Sequence, residues 1–252
     1  MTDPFRLDGQ CALVTGARTG IGRAAALALA AAGADLVLWG RDRDGLASVA
    51  AEIEALGRSC TTVGADLADL TAVEDVATSV AAEHRIDLLV NNAGIIARGP
   101  AVDVSLADWR RVLDVNLDGA FLLARCIGAP MLERGAGRIV NIASLLSFQA
   151  GVNVGSYAAS KHAVVGLTKA LATEWAGRGV GVNAVAPGYV ATANTAALRA
   201  DPARNHAITE RIPIGRWAEP EDITGAIVFL CSPAAAYVHG HVLVVDGGWL
   251  AR

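Results

Sequence analysis

Short apolar runs alternate with longer stretches of helical period along this chain. The apolar runs are Cys11–Thr15, Asp35–Trp39, Cys60–Gly64, Asp87–Val90, Arg138–Ala143, Val180–Val185 and Val242–Val245. They are short and almost continuously apolar, as strands covered on both faces should be. A helical stretch follows Gly22, runs to Ala32 and stops at Gly33. Further helices are expected from Asp44 to Leu56, Leu70 to Glu83, Ala107 to Glu133, Gly155 to Ala176 and Glu221 to Leu230. Pro130 falls near the end of the longest, and Val190–Ile212 suits irregular chain or broken helix. The alternation predicts the α/β class, with a doubly wound parallel sheet, helices on both faces and right-handed crossovers. No Pro/Gly/Ser linker divides it, so residues 1–252 are expected to form a single domain.

Composition narrows the class. Of 252 residues, 53% are hydrophobic and 18% charged, enough apolar material for a large core. A formal net charge of −4 gives no reason to expect nucleic acid or an anionic membrane as partner. Cys11, Cys60, Cys126 and Cys231 are scattered, which suits free thiols in a reducing compartment better than a metal site. The segment Met1–Gly9 has no apolar signal region, and no apolar run is long enough to span a bilayer. A cytoplasmic protein is expected.

Chemistry enters with the first turn. Gly16, Gly20 and Gly22 form G-x-x-x-G-x-G between a strand and a helix. Glycines there allow a tight turn and let backbone N–H groups approach a pyrophosphate at the helix N-terminus. The spacing differs from the common G-x-G-x-x-G fingerprint, and simple turn chemistry is the alternative. Asp66 either accepts from an adenine amino group or caps a turn. Asn91-Asn-Ala-Gly94 closes the fourth run, where small residues let a cofactor lie against the backbone and Asn91 can tie strand ends together.

A second cluster follows the fifth run. Ser144 ends it, and Tyr157 and Lys161 then share one face of a helix, four residues apart. A phenol titrates near 10 and needs a nearby cation to serve as acid and base at neutral pH. With a serine hydroxyl beside them, the pair forms a proton-transfer site for a carbonyl or an alcohol. Alone, Tyr-x-x-x-Lys is more often a half-buried Tyr beside a solvated Lys. Ligands of open parallel sheets, however, bind beyond the carboxyl ends of the strands. Gly16, Asp66, Asn91 and Ser144 all follow strands, so they should gather at one edge.

Together these motifs resemble the short-chain dehydrogenases/reductases. Thr15-Gly-Ala-Arg-Thr-Gly-Ile-Gly22, Asn91-Asn-Ala-Gly94, Asn116, Ser144, Tyr157-Ala-Ala-Ser-Lys161 and Pro187-Gly188 match that family in order and spacing. The resemblance implies a Rossmann-type sheet of about seven strands and a catalytic tetrad of Asn116, Ser144, Tyr157 and Lys161. For the cofactor it implies Gly16, Arg18, Thr19, Gly20, Ile21 and Gly22 in the first turn, then Arg41, Asp66 and Leu67. It adds Asn92, Ala93, Gly94, Tyr157, Lys161, Pro187, Gly188, Val190 and Thr192. It also implies a homotetramer with Ala107–Glu133, Gly155–Ala176 and the last strand at interfaces, and no metal. Tyr157 is expected to protonate the developing alkoxide as the carbonyl accepts a hydride. Ser144 would hold the substrate oxygen. Lys161 would lower the Tyr157 pKa and bind the nicotinamide ribose, and Asn116 would hold a water.

NADP is expected over NAD. The second run closes on Gly40 and Arg41, where an acidic residue would repel a 2′-phosphate and a guanidinium suits one. Arg18 adds charge, whereas pairing of Arg41 with Asp42 or Asp44 is the alternative. The segments Asn91–Ile96, Ser144–Gln149, Ala186–Thr195 and Asp246–Arg252 resemble a narrower branch, the 2-deoxy-D-gluconate 3-dehydrogenase and 2-dehydro-3-deoxy-D-gluconate 5-dehydrogenase group. That resemblance implies a small sugar-acid substrate at Ser144 and Tyr157; by side-chain chemistry, Gln149 and Asn194 suit its hydroxyls, and a cation, Arg204 or Arg98, suits its carboxylate. The alternative is a 3-oxoacyl-acyl-carrier-protein reductase, docking an acidic partner on Arg98, Arg199, Arg204, Arg211 and Arg216.

Overall fold

The structure is a computed structural model and describes residues 3–252, so Met1 and Thr2 of the segment read for a signal lie outside the described residues. Among the described residues, the strands are β1 (Cys11–Thr15), β2 (Asp35–Gly40), β3 (Cys60–Gly64), β4 (Leu88–Asn91), β5 (Gly137–Ile142), β6 (Val180–Pro187) and β7 (Val242–Val245). They form one seven-stranded sheet in the order β3-β2-β1-β4-β5-β6-β7. Every neighbouring pair is parallel.

The helices are α1 (Gly20–Ala31), α2 (Ala47–Ala55), α3 (Leu70–Glu83), α4 (Leu106–Leu113), α5 (Gly119–Arg134), α6 (Gly155–Trp175), α7 (Ala196–Ala200), α8 (Pro202–Arg211) and α9 (Glu221–Cys231). Successive strand residues point to opposite faces. Ala12, Val14, Leu36, Leu38, Val90 and Val140 therefore pack with α1, α2 and α9. Leu13, Val37, Trp39, Leu89 and Ile139 pack with α3, α5 and α6. Each fully buried leucine in these layers contributes about 2 kcal/mol relative to exposure.

Most expected elements are present, with ends displaced by a residue or two. The long helix expected over Ala107–Glu133 starts at Leu106, after Ser105 caps it by accepting from Asp108 N at 3.0 Å. It then passes through a π-helical turn, Asp114–Asp118, before α5. Such a turn carries one extra residue and leaves no mark in the apolar period. Pro130 sits inside α5 without ending it. The segment Val190–Ile212 is broken as expected, into a 3₁₀ turn, α7 and α8. The break falls at Asp201, whose backbone is extended because Pro202 follows.

The four thiols are free. Burial pushes Cys11 and Cys231 up to about 12 and Cys60 to about 11. No helix among the described residues is long and apolar enough to cross a membrane.

A buried polar link joins the sheet to its second layer. Asn91 Nδ2 donates to Asn141 Oδ1 at 3.0 Å and to the Ala120 carbonyl at 3.2 Å. Asn141 Nδ2 donates to Thr168 Oγ1 at 2.9 Å. Asn91 thus ties β4 to β5, as its position in the sequence suggested. Asn141→Ala removes two of these bonds, leaving Asn91 Nδ2 only the Ala120 carbonyl and Thr168 Oγ1 only the Val164 carbonyl, and opens a cavity between them. The expected loss is about 2–4 kcal/mol, read as a lower denaturant midpoint at unchanged slope; a loss below about 0.5 kcal/mol would refute the link.

Candidate active site

A cleft of about 630 Å³ opens beyond the carboxyl ends of the strands. Its first wall is the glycine turn. Gly16 and Gly20 take φ of +66° and +56°, a region that favours glycine. Gly22 has no room for a side chain: a Cβ there would lie 2.3 Å from the Gly16 carbonyl oxygen and 2.4 Å from Asn92 Nδ2. The chain therefore enters α1 tightly folded against the end of β4. Thr19 precedes α1 and makes no side-chain cap bond. The N–H groups of this first turn are left for an anion, and the helix dipole favours one. By contrast, Asp69 caps α3 and Asp201 caps α8.

Thr15 fixes the gap between β1 and β4. Its hydroxyl accepts from Asn92 N and Ala93 N, both at 3.0 Å, and donates to the Val90 carbonyl. Asn92 Nδ2 returns a bond to the Thr15 carbonyl at 2.8 Å. Asp66 accepts from Ala68 N at 3.1 Å, so it caps a turn while also lining the cleft.

The proton-transfer residues meet at the far wall. Ser144 follows β5 and is buried, and its Oγ accepts from Leu146 N at 3.1 Å within a 3₁₀ turn, Leu145–Ser147. Tyr157 and Lys161 come from the first turns of α6. Lys161 is only 4% exposed; its Nζ donates to the Ile142 carbonyl at 2.6 Å and lies 5.7 Å from the Tyr157 ring centre. Ser147 Oγ holds the Lys161 carbonyl at 2.7 Å, and Ser160 Oγ the Tyr157 carbonyl at 2.8 Å.

Burial dominates the electrostatics. It raises the Tyr157 pKa, against a hydrogen bond from Ser144 and the charge of Arg98, which both favour the phenolate. It lowers Lys161 to about 8. In the protein alone the phenol is thus raised and not lowered, and the groups that oppose burial are Ser144 and Arg98, not the expected Lys161. Lys161 remains able to carry charge near neutral pH, at the place where a phenolate needs it.

Asn116 lies in the π turn, directly beneath Gly94. Its Oδ1 accepts from Ile95 N at 2.8 Å, and its Nδ2 donates to the Ile95 carbonyl and to Ser160 Oγ, each at 3.0 Å. These three bonds fix the Asn116 side chain between Ile95 and Ser160.

The cleft wall includes Gly16, Arg18, Thr19, Gly20, Ile21, Arg41, Asp66 and Leu67 of the expected cofactor set. It also includes Asn92, Ala93, Gly94, Pro187, Gly188, Val190 and Thr192, with Asn194. Arg41 makes no ion pair with Asp42 or Asp44 among the described residues; Asp42 instead accepts from Asp44 N at 3.1 Å. Three expected substrate residues do not line the cleft: Gln149, just past the 3₁₀ turn after Ser144, and Arg204 and Arg98, both exposed. Arg98 is the arginine whose charge reaches Tyr157, and its Nη2 donates to the Asn194 carbonyl at 3.0 Å. Thr15, Ile95 and Ser160 stand inside the quoted motifs but were given no role, and Arg111, which also lines the cleft, was missed because a single residue outside a motif carries no periodic signal.

A family profile described as Enoyl-(Acyl carrier protein) reductase matches residues 16–250. A Bacillus subtilis (strain 168) protein named 2-dehydro-3-deoxy-D-gluconate 5-dehydrogenase is 51% identical over 99% of this chain and 98% of its own length. A Beutenbergia cavernae structure, assigned as an NAD(P)-dependent gluconate 5-dehydrogenase with NADP bound at low occupancy, is 64% identical. It superposes with a TM-score of 0.97, covering 99% of this chain and all (100%) of its own. An Agrobacterium tumefaciens structure, assigned as a 2-deoxy-D-gluconate 3-dehydrogenase with bound NADP, is 53% identical with a TM-score of 0.94, covering 100% of both chains. With this fold, this order of motifs and these relatives, the chain belongs to the short-chain dehydrogenase/reductase family.

Proposed function

We propose that the chain is an NADP-dependent oxidoreductase that interconverts a secondary alcohol and a ketone on a sugar acid of the 2-dehydro-3-deoxy-gluconate class. The observation that carries this reading is the meeting of Ser144, Tyr157 and buried Lys161 at the end of a cleft whose other end is an uncapped helix N-terminus. The glycine turn and the first N–H groups of α1 would hold a pyrophosphate. Arg41 and Arg18 would face a 2′-phosphate, and Asn92–Gly94, Pro187 and Gly188 would line the nicotinamide half. When bound, the nicotinamide supplies or accepts the hydride at the substrate carbon.

The rest is proton chemistry by the chain. Ser144 Oγ orients the substrate oxygen. Tyr157 Oη gives that oxygen a proton in reduction and takes it in oxidation. Lys161 stabilises the phenolate left behind, being charged below about pH 8. Asn116 braces Ile95 and Ser160 beneath these groups. Arg98, beside Tyr157 and tied to Asn194, is the best-placed cation for a substrate carboxylate.

The names of the three relatives above agree on small sugar acids and differ on the carbon oxidised. An acyl-carrier-protein substrate, suggested by the profile's description, is less well served. Of the arginines offered for such a dock, Arg216 is engaged by Asp222 at 2.6 Å, and Arg211 stacks on Trp249. We propose further that the chain acts as one domain, in a cytoplasmic homotetramer. Leu106, Trp109 and Phe121, exposed on α4 and α5, suit a helical interface.

Three outcomes test the reading. Tyr157→Phe should lose at least about a hundredfold in kcat while NADPH binding, read by its fluorescence, stays within about twofold; near-full turnover would remove Tyr157 from its role. For cofactor choice, kcat/KM should favour NADP, and Arg41→Ala should cut that preference by about tenfold. A preference for NAD that ignores Arg41 would overturn it. Finally, saturable turnover is expected on 2-dehydro-3-deoxygluconate or 2-deoxygluconate and not on an acetoacetyl thioester. Activity on the thioester alone would move the chain to the acyl-carrier reading.

A further inference from the structure

The sheet's two cores do not account for one more buried cluster. Leu145, Ile208, Ile212 and Trp249 form it, with Tyr189, Trp217 and Leu198 packed against them. Each partner belongs to a different piece of the cleft's surroundings. Leu145 follows Ser144. Tyr189 follows Gly188 in the nicotinamide wall. Ile208 lies on α8, which follows the cleft-lining segment Thr192–Thr195 after the short α7. Trp249 itself does not line the cleft.

We propose that Trp249 is a positioning residue that sets the height of α7 and α8 over the substrate end of the cleft. Its ring is 4.7 Å from the Tyr189 ring, and the Arg211 guanidinium lies over it at 4.0 Å. Arg211 ends α8. Tyr189 meets Trp217 edge-on at 5.3 Å, and Trp217 Nε1 donates to Asn205 Oδ1, also on α8, at 2.8 Å. The indole thus meets the cofactor side through Tyr189 and α8 through Arg211, in one buried cluster with Leu145 and Ile208.

The turn that presents Trp249 has little freedom. Asp246 accepts from Gly248 N at 2.9 Å and Leu250 N at 2.8 Å, and the Gly247 carbonyl accepts from Ile214 N at 3.1 Å. A Cβ on Gly188 would come within 2.7 Å of Asp246 Cα, so the turn abuts the nicotinamide wall directly. Trp249 is 4% exposed, and its Nε1 has no acceptor among the described residues. The indole N–H therefore adds no bond to the fold. Ring volume and the π-face toward Arg211 and Tyr189 are what the position uses.

A side chain that only stabilised the fold would, when removed, weaken everything together. A spacer under α8 weakens one side. Trp249→Ala should raise the substrate KM about tenfold while kcat and NADPH affinity stay within about twofold. Amide exchange in Ala196–Arg211 should quicken while that in Gly20–Ala31 is unchanged. Trp249→Phe keeps a ring under Arg211 and removes the unpaired N–H; it should bring KM back to within about threefold of the parent. The choice of substrate rests on the sugar-acid reading, but the exchange and NADPH measurements do not. If the parent turns over no sugar acid, that reading falls and exchange alone decides the role of Trp249. Loss of kcat, KM and NADPH affinity in step, exchange quickening equally in α1 and α8, or no change in either, overturns the proposal.

Discussion

The connections on the two sides of the β1–β4 pair leave for opposite faces of the sheet, so a crevice opens where these strands end. Thr15 holds that crevice at a fixed width. One hydroxyl takes two N–H groups from the far side and gives its proton to a third backbone group, while Asn92 closes the loop. The glycine turn rests on this clamp. Gly22 can approach the Gly16 carbonyl and Asn92 as closely as it does because it carries no Cβ. The direction of α1, and of its free N–H groups, follows from it.

At the other end of the crevice, two groups that each prefer water have been buried side by side. Desolvation penalises the phenolate of Tyr157 and the ammonium of Lys161 alike. Neither charge is comfortable alone, but each favours the other. The Ile142 carbonyl keeps Lys161 at the site without neutralising it. The pair is therefore poised rather than relaxed, and a proton entering or leaving Tyr157 is felt by its neighbour.

The architecture was legible because burial on both faces writes itself as continuous apolar runs, and glycines mark the turns between. Tyr157, Lys161 and Ser144 were legible because spacing on a helix and position after a strand are geometric facts. The π turn at Asp114–Asp118 was not, since one extra residue in a helix barely shifts an apolar stripe. Gln149 and Arg204 were placed at the substrate by chemical type alone, and neither lines the cleft wall. Arg98 is distinguished by its bond to Asn194, a contact between residues 96 apart in the chain. Pairings of that range leave no local pattern. The sign of the Tyr157 shift was missed for a related reason: a motif names the neighbours of a group, and burial depends on everything around it.

The scattered thiols acquire a use in this light. Cys11 and Cys231 are pushed up to about 12 by burial. At neutral pH only on the order of one in a hundred thousand would be ionised, and the thiolate is the form that reacts. Cys11 begins β1, and Cys231 ends α9 against the same sheet. Half-buried Cys11 lies against the other core, but Cys231 is fully buried at the end of α9, and its modification by an alkylating reagent must wait until that layer opens. The folded protein thus carries its own chemical clock, whose labelling rate reports how often the sheet and its first helical layer come apart.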